Sequence, residues 1–172
     1  MFDTLPDYPQ ARHLAAALWR REGQARGAAL IVGAGVSTMA QKASENTPKP
    51  PLWRDLAKSL KAKLYPKNPD WAPIDPLRLA QEFASYFGQA ALNAHLREQI
   101  ADDAWFPSAT HKQLLQLPWA DVLTTNYDTL LERAAAEIFA PAYDLVKSPT
   151  DLVHARQPRI IKLHGSIHDD AP

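Results

Sequence analysis

Leu30-Ile31-Val32-Gly33-Ala34-Gly35-Val36-Ser37 is a short apolar run that ends in a glycine turn. Two later stretches have the same design: Asp121-Val122-Leu123-Thr124-Thr125-Asn126-Tyr127-Asp128 and Arg159-Ile160-Ile161-Lys162-Leu163-His164-Gly165-Ser166. A short apolar run bounded by turn residues is how a buried parallel strand reads. In an open α/β sheet, ligands bind beyond the carboxyl ends of the strands. Three turns far apart in sequence are therefore expected to meet in one cleft. They bring glycines suited to phosphates, an Asn and an Asp suited to sugar hydroxyls, and a His suited to proton transfer.

Working outward, residues 9 to 22 read as a helix, with Pro9 in its first turn and Leu14, Ala15, Leu18 and Trp19 on one face. Gly23 and Gly27 loosen the chain before Ala28 to Val32, the expected first central strand. Residues 38 to 50 read as a loop. Helices are expected at about 52–64, 76–87, 89–101 and 108–117, with Pro66, Pro69 and Pro73 breaking the first from the second. This helical insertion, about 38–120, is read as a cap over the cleft. After Asp121 to Thr124, the positions Tyr127, Leu130, Leu131, Ala134, Ala135 and Ile138 give the clearest amphipathic helix. A minor strand is expected at Tyr143 to Val146, a helical turn from Ser148 to about His154, and a third strand at Arg159 to Leu163. The expected fold is α/β: a Rossmann-like parallel sheet with flanking helices, treated as one domain over residues 1–172, its sheet incomplete within this chain.

Composition removes several classes. The 172 residues suffice for one domain with a real core. Nineteen basic residues balance nineteen acidic ones, so no global field draws the chain to nucleic acid or to an anionic membrane. There is no cysteine, hence no disulfide and no thiolate zinc site, which fits the cytoplasm. Met1-Phe2-Asp3-Thr4-Leu5-Pro6 lacks the pattern of a signal peptide.

The chemistry falls on few residues. Gly33 and Gly35 follow a strand and permit close approach of backbone N–H groups to a pyrophosphate. Thr38 stands where a third glycine would complete the dinucleotide fingerprint, which speaks against an ordinary dehydrogenase. Asn126 and Asp128 at the mouth of the second strand can bind a sugar hydroxyl, or equally cap the helix that follows. His164 ends the third strand, where a proton carrier is useful. His168 lies four residues on, beside Asp169 and Asp170, but Gly165 opposes a continuous helix and no metal site is expected. His13, His95, His111 and His154 read as surface or core residues, and Trp53 as a packing anchor.

Taken in order, Gly33-Ala34-Gly35-Val36-Ser37, Thr124-Thr125-Asn126-Tyr127-Asp128 and His164-Gly165 resemble the sirtuin family, in its bacterial, defence-associated branch. Pro51, Leu52 and Trp53 before a Leu-rich helix also fit that branch. The resemblance implies NAD⁺ as substrate and no metal. It implies that Gly33, Ala34, Gly35, Ser37, Thr125 and Gly165 bind the dinucleotide. Asn126 and Asp128 would face the nicotinamide ribose and carboxamide, with Asn126 positioning a water, and His164 would be the general base. The four-cysteine zinc module and the Pro-Asp-Phe-Arg stretch of the protein-deacylating branch are absent. The reading is therefore an NAD⁺ glycohydrolase domain that depletes NAD⁺ in anti-phage defence, by abortive infection. The resemblance further implies a homo-oligomer or a sensor domain or subunit, Argonaute-like or otherwise nucleic-acid sensing, with no direct nucleic-acid binding by this domain. A non-catalytic module binding NAD or ADP-ribose is the alternative; a protein deacylase or ADP-ribosyltransferase is the third reading.

Overall fold

The computed structural model describes residues 5–19, 21, 22, 25–68 and 75–168. Met1 to Thr4, Gly23, Pro69, Pro73, Asp169 and Asp170 lie outside the described residues. Helix α1 spans Tyr8–Trp19 and ends before the expected Glu22. Instead β1 (Arg21–Glu22) pairs antiparallel with β2 (Ala25–Arg26). β3 (Ala29–Val32) leads into a single helical turn, α2 (Ala34–Ser37). Residues 38 to 50 are not wholly loop. β4 (Gln41–Lys42) forms a small antiparallel ladder with β5 (Trp105–Phe106), closed by Ala43 N–H donating to the Ala104 carbonyl.

Between β3 and the second motif the other described elements are helical: α3 (Trp53–Leu64), α4 (Pro76–Phe87), α5 (Gln89–Ile100), a 3₁₀ turn (Asp102–Ala104) and α6 (Ala109–Gln116). Local chemistry sets these ends. Asp55 Oδ2 accepts from the Leu52 N–H at the start of α3, and Asp75 Oδ1 from the Leu77 N–H at the start of α4, where Pro76 supplies the preset φ. Gly88, at φ +92, turns the chain from α4 to α5. α3, α4 and α5 enclose their own apolar cluster of Leu60, Leu79, Phe83 and Leu92.

β6 (Asp121–Thr124), α7 (Leu130–Ala136), β7 (Asp144–Val146), α8 (Pro149–His154) and β8 (Arg159–Lys162) complete the architecture. The four longer strands pair in parallel in the order β3-β6-β8-β7. Register aligns Val32 with Thr124 and Thr124 with Lys162, so the three motif turns leave the same sheet end side by side. This is a Rossmann-like α/β arrangement with a small sheet.

Successive strand residues face opposite ways. Val32, Val122 and Ile160 face Leu18 of α1, Leu115 of α6, and Leu131 and Ala134 of α7, making the main core. Val122 is fully enclosed and Ile160 is 1% exposed, each burial contributing about 1.5–3 kcal/mol. The other face differs. β3 is an edge strand among the described residues, not a central one, and Ile31 is 74% exposed. An apolar run alone does not distinguish a strand covered on both faces from an edge strand covered on one.

Candidate functional site

The first two motifs are joined by a buried chain of hydrogen bonds. Asn126, 6% exposed, donates through Nδ2 to the Gly33 carbonyl (3.1 Å) and to Ser37 Oγ (3.0 Å). Ser37 Oγ passes its proton towards Asp128 Oδ2 at 2.6 Å. The other Asp128 oxygen, Oδ1, accepts from the Leu130 N–H at 3.2 Å. Asp128 thus serves both the bridge to Ser37 and the start of α7. Both donor contacts of the Asn126 amide are spent on tying the two turns. Its Oδ1 is buried with no hydrogen-bond partner among the described residues. That acceptor is what remains for a water or a sugar hydroxyl.

A cavity of about 40 Å³ adjoins this network, lined among others by Ala34, Ser37, Thr125, Asn126, Asp128 and Trp53. That is room for water but not for an aromatic ring, since a cavity that takes benzene is on the order of 150 Å³. A second cavity, of about 470 Å³, lies under the helical layer, with His164 and Gly165 in its wall beside Leu56, Leu60 and Leu92. Trp53 and Tyr127 belong to both walls. Their rings meet edge-on at 5.9 Å, and Tyr127 lies 6.5 Å from the His164 ring. Burial raises the Tyr127 phenol pKa.

The structure therefore brings Gly33, Ala34, Ser37, Thr125, Asn126 and Asp128 together, and sets His164 and Gly165 on the far side of Tyr127. His164 is exposed. Gly165 sits at φ +78, where a side chain is strained, and turns the chain sharply after β8. Gly35 is exposed, and a Cβ built there meets nothing within 4 Å. The helix after the glycine loop is only four residues long, so its dipole adds little.

The segment after His164 is fastened to the second motif and to α5. Ile167 N–H donates to the Tyr127 carbonyl at 2.8 Å, and Arg97 Nε donates to the Ile167 carbonyl at 3.0 Å. Ile167 packs with Leu56 and Ile100. His168 Nε2 lies 3.1 Å from Asp102 Oδ2, not beside His164 in a ligand pair. Asp102 is buried, which opposes its charge. Hydrogen bonds from the Thr129 hydroxyl and N–H and from His168, with the Arg133 guanidinium, nonetheless hold its pKa below the ordinary value. Asp102, Asp103 and His168 come close enough to suggest a cation site, but Arg133 already supplies the counter-charge.

Three features carry weaker marks in the sequence. Lys162 has a fully buried side chain, 2.9 Å from Glu132 Oε1, and its Nζ also meets the carbonyls of Tyr127 and Asp128. Its signal is a lysine two residues after Ile160, on the buried face of an apolar strand. His111, 1% exposed, accepts from the Ser108 N–H through Nδ1 at 3.2 Å. Burial lowers its pKa, against the opposing pull of Asp128 and of the Val36 backbone. Thr124 Oγ1 accepts from the Asn126 N–H at 3.1 Å and fixes the turn from within.

Known proteins bear on this geometry. Residues 120–172 match the SIR2-like domain family. Over 140 residues the chain is 28% identical to Defense-associated sirtuin 2 of Bacillus subtilis; the match covers 80% of this chain and spans 13% of that protein's length. No helix among the described residues is long and apolar enough to cross a membrane. The chain is thus an α/β domain that is similar to the SIR2-like family over its last third and to part of a defence-associated sirtuin over most of its length.

Proposed function

We propose that residues 1–172 form an NAD⁺-cleaving domain, with the helices of about 38–120 as its cap, releasing nicotinamide within a defence protein. The observation that carries this reading is the buried bridge Gly33–Asn126–Ser37–Asp128, with one Asn126 oxygen left over beside a cavity. The bond from ribose C1′ to the nicotinamide nitrogen breaks, and its electron pair leaves with nicotinamide. The Asp128 carboxylate faces the positive charge that develops on the sugar. Asn126 Oδ1 accepts from a water, which attacks C1′ and yields ADP-ribose and a proton. His164 takes a proton from a ribose hydroxyl or from water.

In this reading the nicotinamide ring cannot enter the 40 Å³ cavity while Trp53 and Tyr127 are together. Parting them joins the two cavities and brings His164 and Asn126 into one space. NAD⁺ is substrate, and no metal takes part. Homo-oligomers or a sensor domain as partners, depletion of cellular NAD⁺ and a cytoplasmic setting belong to the same proposal.

Incubating the full-length protein with NAD⁺, with and without extract from phage-infected cells, and following nicotinamide tests the chemistry. Release under either condition supports it. The exposed position of His164, apart from Asn126, favours one rival: a module that binds NAD⁺ or ADP-ribose without turnover. Calorimetric binding with no nicotinamide under both conditions would establish that rival.

A further inference from the structure

We propose that Lys162 is a positioning residue for the Asn126–Asp128 turn, holding that turn by its main chain while Glu132 balances the charge. The inference rests on the reading of this turn as part of the NAD⁺-cleaving site.

Lys162 ends β8 directly beside Thr124, the last residue of β6. The β6 chain then turns back over the lysine. The ammonium donates to the Asp128 carbonyl and, at 3.4 Å, to the Tyr127 carbonyl, while Glu132 Oε1 lies 2.9 Å away as its ion-pair partner. The side chain has no solvent exposure, and that of Glu132 is only 14% exposed.

Packing alone does not call for this arrangement. Burying an ion pair sacrifices hydration, and two well-packed apolar side chains commonly serve stability as well or better. What an apolar pair cannot do is fix two carbonyls. Those carbonyls belong to Tyr127 and Asp128, the residues immediately after Asn126, so their placement sets where both polar side chains point. Glu132 matters for a second reason. A lysine alone under this turn would oppose a positive sugar in the transition state, whereas the neutral pair holds the turn without that penalty.

Lys162→Met by itself strands the Glu132 carboxylate and is expected to fold poorly. The deciding variant is Lys162→Met combined with Glu132→Met in the full-length protein. Its thermal and urea unfolding should stay close to wild type. Its kcat for nicotinamide release should fall about 100-fold, the scale of a 1 Å misplacement, while KM changes little. Hydrogen exchange by mass spectrometry should show faster exchange over residues 124–130 and no change over 86–100. A merely structural role predicts that turnover returns together with stability. Wild-type turnover in the folded double variant, or unchanged exchange over 124–130, overturns the proposal. If the wild-type protein itself releases no nicotinamide, the hydrolase reading fails instead, and the exchange pattern alone decides the role of Lys162.

Discussion

Asn126→Asp changes almost no volume but replaces an amide donor with an acceptor. In the native protein Nδ2 serves the Gly33 carbonyl at 3.1 Å and Ser37 Oγ at 3.0 Å. The new carboxylate faces the same carbonyl oxygen with nothing to donate. Ser37 cannot rescue it, because its only proton is committed to Asp128 Oδ2 at 2.6 Å. Two net hydrogen bonds at about 1 kcal/mol each are lost, and a charge is buried beside acceptors. The expected destabilisation at pH 7 is about 2–4 kcal/mol, or roughly 5–15 °C in Tm for a domain of this size. The sign with pH is distinctive. Burial near a carbonyl and near Asp128 raises the pKa of the new carboxyl above its unfolded value of about 3.9. Between those two values the folded state binds more protons. The variant's deficit relative to wild type should therefore shrink as pH falls from 7 towards about 4, where the protonated acid can donate one bond. Urea titrations of both proteins at several pH values measure this, with nicotinamide release followed alongside. Equal stability at pH 7, or a deficit that grows in acid, would refute the hydrogen-bonded bridge.

Other outcomes follow from the same geometry. His164→Ala should lower turnover by ~10²–10⁴ with NAD⁺ affinity nearly unchanged by calorimetry; full activity would place the proton carrier elsewhere. Gly35→Val should fold, since the space beside Gly35 is open, yet lose NAD⁺ binding because its side chain stands where the phosphates approach; normal affinity would move the phosphate site away from this loop. Acid should destabilise the chain from about pH 6.5 downwards, because burial lowers the pKa of both His95 and His111. Each of these binds a proton more readily when unfolded, so stability is lost between pH 6.5 and the lowered folded value, with a slope of up to about 1.4 kcal/mol per pH unit for each ring. Replacing His111 with Gln should flatten its part of that slope in unfolding experiments at pH 5 to 8.

The strands and helices were legible because their patterns are local. β6 occupies Asp121–Thr124 as its apolar run and Asn126 turn predict, and α4 begins at Pro76 and ends before Gly88. What escaped depends on partners distant in sequence. β4 is two residues of a polar stretch, and only its pairing with Trp105–Phe106 makes it a strand. β3 reads as buried, but sheet order decides that it lies at an edge, and no property of Ile31 itself records its 74% exposure. The bridge among Gly33, Asn126, Ser37 and Asp128 was half legible. The motifs marked the residues, but the direction of each hydrogen bond needed the turns in space. Lys162 was the least visible, since a lysine at a strand end ordinarily reaches solvent.

The placement of Tyr127 gives the two cavities a common logic. Its carbonyl is held from below by Lys162 and accepts from Ile167, while its ring meets Trp53 at the start of α3 and approaches His164. The main chain is thus fixed, while the ring is held by packing, against Trp53 and against the cluster of Leu56, Ile100 and Ile167. An edge-on aromatic pair adds about 0.5–1.5 kcal/mol beyond its burial. A ligand bound with micromolar affinity supplies about 8 kcal/mol. Uncovering part of the packed ring adds up to about 1.5–3 kcal/mol, so parting Trp53 from Tyr127 stays within what such a ligand supplies, whereas moving the turn would break the Lys162 contacts and the Asn126 bridge together. The physical expectation is a site that opens by side-chain rotation between the cap and the second motif, with the catalytic backbone unmoved. Comparing hydrogen exchange of residues 124–130 with and without NAD⁺ distinguishes the two. Protection that is unchanged or increased fits ring rotation over a fixed turn, and exchange accelerated by the ligand would show that the turn itself yields.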